Sequence, residues 1–288
     1  MMKRILAVTC ILFAAASAVQ AENLIMKDGR VIPAKSLRRQ GDSIMATVEI
    51  PAVQPGDKPQ TGELGYPIAQ ISRIDFPEPP QLHTAADLIS QGKYPEALAQ
   101  LDPVMRYYQS FRDAPGSWWA DTLLLQIQAF VGEGREKEAE PMVDDLGRLA
   151  SDPEIKRAAR AFSAAAVLRR GHPKEALEIC QTLLKESNRP STLAQASVTA
   201  GGCHLQLKEY DDAITAFLQI PVFFPEEKTL IAASLLGSGI GYEAIQDFPR
   251  AKLALNTLVT SYGATTEARR AKTELEKIAK AETIPAQK

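Results

Sequence analysis

Gly92-Lys93-Tyr94-Pro95-Glu96-Ala97 is the stretch that decides the fold, because its pattern returns four more times along the chain. The counterparts are Gly134-Arg135-Glu136-Lys137-Glu138-Ala139, Gly171-His172-Pro173-Lys174-Glu175-Ala176, Lys208-Glu209-Tyr210-Asp211-Asp212-Ala213 and Gln246-Asp247-Phe248-Pro249-Arg250-Ala251. In each, a short polar turn precedes a helix that opens two or three residues before an alanine. The alanines stand at 97, 139, 176, 213 and 251, in steps of 42, 37, 37 and 38 residues. Four residues beyond them come Leu101, Val143, Cys180, Phe217 and Leu255, and seven beyond come Val104, Leu146, Leu183, Ile220 and Leu258. That spacing is one apolar stripe on a helix.

A second helix lies upstream of each turn. Twelve residues before the alanine stand Ala85, Ala164, Gly201 and Gly239, small enough to let two helices approach closely. The second unit has Ile127 there, which predicts a wider or differently angled pair. Larger residues follow three positions later: Leu88, Phe130, Val167, His204 and Tyr242. A helical pattern repeating at this interval predicts an α-solenoid, in which each pair buries its apolar faces only by stacking on its neighbours.

The small residue, the turn glycine with an aromatic two beyond it, and the alanine of the second helix together resemble the tetratricopeptide repeat (TPR) family. The resemblance covers about 83–281, read as five helix pairs plus a final helix from Thr266 to Ala281. Gly92, Tyr94 and Ala97 fit well, as do Gly201, Tyr210, Ala213 and Phe217; Glu136 replaces the turn aromatic of the second unit. The steps exceed the family's repeat of about 34 residues, which implies longer helices or connections. The family implies a protein or peptide partner on the concave face. Its usual binding positions fall here on Gln128, Arg169, Gln206 and Glu243, with Leu168 and Leu205 as apolar neighbours. Leu258-Val259-Thr260-Ser261-Tyr262-Gly263, followed by Ala268 and Ala271, loosely resembles the end-of-unit signature of exported repeat proteins in envelope-assembly machineries, with Gly263 where those carry proline.

The front of the chain reads differently. Residues 1–21 have the pattern of a secretory signal peptide: Lys3 and Arg4, an apolar run from Ile5 to Ala18, and small residues ending at Ala21. This predicts an exported, periplasmic or extracellular protein, with no membrane-spanning segment left after cleavage. Residues 22–76 read as a small all-β module, SH3-like or a curled sheet, of about five strands. Asp28-Gly29 marks a hairpin, and Ile44, Ala46, Val48 and Ile50 share one strand face. Pro51 to Thr61 reads as a loop, residues 77–82 as a proline-rich linker and 282–288 as a tail.

The formal net charge is −2, and about −4 once Lys3 and Arg4 leave with the signal peptide. With no basic stripe, nucleic acid is not an expected partner. No pair among the three histidines has metal-ligand spacing, and no Cys-x-x-Cys or phosphate-binding glycine loop occurs, so neither cofactor nor metal is predicted. His204 is expected to be packed or half-buried, and His83 and His172 to be solvated. Asp144-Asp145 reads as a solvated face and Asp211-Asp212 as a helix cap. Cys180 and Cys203 fall on neighbouring helices, so two readings stand: a disulfide, or two small buried thiols. Tyr107, Tyr108, Phe111, Trp118 and Trp119 cluster where the repeat step is longest, either buried or, as Trp118 and Trp119 would allow, a partner-binding hot spot.

The expected function is a non-catalytic interaction scaffold in the cell envelope. The competing readings are a glycan or peptidoglycan binder acting through the β module, an enzyme, and self-association into a homo-oligomer.

Overall fold

The structure is a computed structural model that describes residues 22–50 and 59–283. The expectations for the signal peptide, for most of the Pro51–Thr61 loop and for the end of the tail fall outside these residues. The chain forms two compact units, one ending at Pro77 and the other starting at Glu78.

Among its described residues the first unit has six strands, where the sequence led to an expectation of about five. β1 (Glu22–Met26), β2 (Val31–Ala34) and β6 (Ile71–Asp75) form one three-stranded sheet with β1 central. β3 (Ser36–Gln40), β4 (Ser43–Ile50) and β5 (Gln60–Pro67) form the other, with β4 central. Both sheets are antiparallel throughout. Gly29, at φ +87°, closes the β1–β2 hairpin in the left-handed conformation that only glycine adopts without strain. Alternation along β4 buries Ile44, Ala46 and Val48, and Leu24, Ile71 and Ile74 of the other sheet are buried as well. Ile50, expected on that face, is exposed because it lies at the end of the strand, beyond the core.

The second unit is a TPR-like solenoid of antiparallel helix pairs. The pairs are α1 (Pro80–Ser90) with α2 (Tyr94–Tyr108), α3 (Trp119–Gly132) with α4 (Glu136–Leu149), and α5 (Pro153–Arg169) with α6 (Pro173–Glu186). They continue with α7 (Pro190–Leu207) and α8 (Tyr210–Phe223), then α9 (Lys228–Ala244) and α10 (Phe248–Ser261), before α11 (Thr266–Thr283) covers the last pair. The five alanines that define the repeat are all buried, as are the residues four and seven positions beyond them. α3 and α4 make the sparsest contact of the five pairs, in keeping with Ile127 where the others have alanine or glycine.

All five turns close in the same way. The residue after the left-handed position donates its N–H to a carbonyl five residues back, at Leu88, Phe130, Val167, His204 and Tyr242. The left-handed residue is Gly92, Gly134 or Gly171 in the first three turns and Lys208 or Gln246 in the last two. Asp211 and Asp212 do not cap α8 through their side chains. They lie inside its first turn, where their charge suits the helix dipole.

The small positions do what their spacing implies. A Cβ at Gly239 would come 2.6 Å from Leu255, four residues beyond the alanine of its own pair. One at Gly201 would come 2.8 Å from the Phe217 ring. The glycines therefore let α7 and α9 lie directly on the stripes of α8 and α10.

Candidate functional site

The first helices of the pairs, α1, α3, α5, α7 and α9, pack in succession, and the row curls until α1 meets α9. The curl surrounds a cleft of about 370 Å³, within the size range of ligand pockets. Its walls carry Ile89, Leu124, Val131, Ala158, Ala161, Phe162, Val198, Leu230 and Ala233, so the body of the cleft is apolar. Gln128, Ser191, Thr192, Gln195 and Thr229 add neutral polar groups. Tyr94 reaches the cleft from α2 and Glu267 from α11, while Glu226 and Glu227 come from the approach to α9 and Lys228 from its first position.

Local sequence builds these walls. The inner face of α5 is alanine-rich, which brings α5 and α7 together and leaves Phe162 as its one large contribution. Gly132 ends α3 without a side chain, and a Cβ there would come 2.8 Å from the Tyr94 hydroxyl, so the ring can lie against α3. Burial pushes the Tyr94 phenol above its usual range, and the nearby Glu267 charge pushes it further. Burial also raises the Glu227 carboxyl, against a smaller opposing pull from Arg189. Asp121 is raised for the same reason, with Arg189 again opposing.

Of the residues projected from the family's binding face, Gln128 lines this cleft. Leu168, Arg169, Leu205, Gln206 and Glu243 lie near the C-terminal ends of α5, α7 and α9, away from it. Leu168 and Leu205 pack between helices: a Cβ at Gly202 would come 2.8 Å from Leu168, and one at Gly241 would come 3.7 Å from Leu205. Gln206 donates to the Leu168 carbonyl at 3.4 Å. Arg169 pairs with Glu140 at 3.3 Å, a carboxylate shared with Arg170 at 3.1 Å. Glu243 faces Glu274 and Lys277 of α11; burial raises its carboxyl, and Glu274 adds to the rise. The sequence reading missed Tyr94, Phe162, Thr192, Gln195, Glu227 and Glu267. They meet only because α1 returns to α9, and residue spacing within one repeat carries no signal for that curvature.

The aromatic cluster divides. Tyr108, Phe111 and Trp119 are buried, Trp118 is half-buried and Tyr107 is 44% exposed. Trp119 donates its indole N–H to Gln109 at 3.2 Å. Tyr107 packs edge-on against Tyr108, with ring centroids 4.9 Å apart.

Cys180 and Cys203 are both buried, as free thiols. Cys180 occupies the stripe position filled by Leu101, Val143, Phe217 and Leu255 in the other pairs, and it packs with Ala161, Ala164, Leu183, Ala196 and Ala200. Burial pushes the Cys180 thiol up to about 12, with Cys203 adding, and the Cys203 thiol up to about 11. A thiolate is the reactive form, so at pH 8 neither cysteine of the folded protein should react with an alkylating reagent within an hour. Both should react fully in denaturant. Rapid labelling of the native protein, read by mass spectrometry, would contradict this placement.

His204 is half-buried, with Nδ1 2.7 Å from Glu209, while His83 and His172 are exposed. His204, Glu209 and Asp212 place potential ligand atoms within 4.8 Å of one another. Among the described residues this is the one such convergence, but Glu209 and Asp212 are exposed and the histidine already has a partner. Among the described residues no helix is long and apolar enough to cross a membrane.

No family model matches the chain, and no curated protein matches it. Chains of solved structure do. A Podosopora anserina protein with nearly identical TPR-like repeats, described as a kinesin light chain, is 16% identical, covers 67% of this chain and 94% of its own, and gives a TM-score of 0.39. YrrB, a TPR protein with an unusual peptide-binding site, is 20% identical over 67% of this chain and 91% of its own, with a TM-score of 0.35. The MamA RS-1 ArsTM double mutant is 16% identical over 63% and 94%, with a TM-score of 0.35.

Proposed function

We propose that this chain is an exported, non-catalytic scaffold that holds a protein or peptide partner on the inner face of its helical repeats. The observation that carries the reading is the cleft itself. Five successive first helices contribute to one apolar recess with scattered neutral hydrogen-bonding groups, which suits side chains and backbone of a partner segment. Export rests on Lys3, Arg4, the apolar run and the small residues before Glu22.

The test is crosslinking of the protein in its native cell, followed by identification of what co-purifies, with and without residues 22–76. The reading expects the same protein partner from both forms. A partner or glycan lost with the β module would transfer the binding role to that module.

A further inference from the structure

Resting on that reading of the inner face, we infer that the cleft selects an extended partner segment in which a large apolar side chain is flanked by lysine or arginine. Two independent observations lead there. The first is charge. The cleft is ringed by the carboxylates of Glu226, Glu227 and Glu267, against Lys228 as the one basic residue in its lining. Arg189 stands near Glu227 and offsets part of that charge, yet the balance stays negative. An acidic segment or a chain-terminal carboxylate would meet repulsion here, and a cation would not. Burial of Glu227 adds to the selection, because a desolvated carboxylate gains more from a partner cation than a solvated one does.

The second observation is Thr192. Its side chain lines the cleft from α7 with 1% of its surface exposed, and its hydroxyl has no hydrogen-bond partner. A buried hydroxyl without a partner is costly and calls for an explanation, which the backbone of a bound segment would supply. Gln195, one turn along the same helix, also lines the cleft. Gln195 Nε2 donates to Thr199 at 3.3 Å, so its Oε1 as acceptor and the Thr192 hydroxyl as donor are left for the backbone of an extended segment, whose apolar side chain would enter the recess walled by Leu124, Phe162 and Leu230.

The test uses full-length protein with labelled methyl groups and three capped pentapeptides, Ala-Lys-Leu-Lys-Ala and its versions with glutamate or glutamine in place of both lysines. The lysine peptide should shift the methyl signals of Ile89, Leu124, Val131, Val198 and Leu230, and bind about tenfold more tightly than the glutamate peptide. Joint replacement E226Q/E267Q should weaken the lysine peptide about tenfold and close most of that gap. Thr192→Val should weaken the peptide several-fold while leaving the melting temperature of the free protein unchanged or higher, a combination that a merely structural threonine would not give. The inference is overturned if the glutamate or glutamine peptide binds in the cleft as well as the lysine peptide. That result would leave the inner face as a partner surface. It is also overturned if the lysine peptide at about 2 mM leaves those methyl groups unmoved. In that case the scaffold reading still stands or falls separately, on the crosslinked partner.

Discussion

Replacing Phe217 with alanine is expected to lower stability by about 4 kcal/mol, among the largest losses available to a single substitution in the repeats. The ring is buried and stands between two glycines of different helices. A Cβ at Gly201 of α7 would come 2.8 Å from Cε1, and one at Gly237 of α9 would come 2.6 Å from the same atom and nearer still to Cζ and Cε2. One side chain of α8 thus joins α7 to α9, the contact through which one repeat stacks on the next. The same geometry predicts that Gly237→Ala costs about 2 kcal/mol, even though alanine is the better helix former. The ring cannot retreat, because Gly201 closes its other side. Combining the two changes should cost clearly less than their sum, since the added methyl enters space that the missing ring has vacated. Urea unfolding of the two single variants and the double variant measures this. Simple additivity would mean that the ring and the glycine are not in contact.

Trp119→Ala should cost about 4 kcal/mol as well, with Trp118→Ala and Tyr107→Ala each within about 1 kcal/mol of the parent. Trp119 is 3% exposed and satisfies its indole N–H on Gln109, so it fills the interval between α2 and α3 where the repeat step is longest. The sequence allowed Trp118 and Trp119 to be either an exposed hot spot or filler. Burial makes Trp119 filler. Thermal unfolding of the three variants separates the roles, and a Trp119→Ala protein as stable as the parent would return that residue to the surface.

The repeat was legible because one physical rule wrote it five times. A helix stripe needs an alanine where the turn crowds it and apolar residues four and seven beyond, and each of these residues is buried. The turns themselves were legible, and Gly92, Gly134 and Gly171 suit the left-handed position they occupy. The positive φ of Lys208 and Gln246 was not legible, since nothing in those side chains favours it. Gly201 and Gly239 announced close helix approach, and the structure places them against Phe217 and Leu255. In the β module, alternation placed Ile44, Ala46 and Val48 inside but not Ile50, because a period of two carries no information about where the core ends.

The cleft was far less legible. Gln128 was found by family analogy, whereas Thr192 and Phe162 belong to two different pairs and Glu267 to the final helix, and superhelical curvature brings them together. Curvature comes from small rotations at each stacking contact, summed over five pairs. Arg169 looked free in the sequence as a binding cation, yet it answers Glu140, a residue 29 positions away.

Whether the inner face holds a protein partner is decided by photocrosslinking from inside the cleft. A photoreactive amino acid would replace Gln195, which lines the cleft, and in a second strain Leu253, which is 68% exposed on α10. After irradiation of living cells, the account predicts one discrete protein adduct from position 195 and none from position 253. An adduct from position 253 with none from position 195 would contradict it, and would place partner binding on the second helices instead.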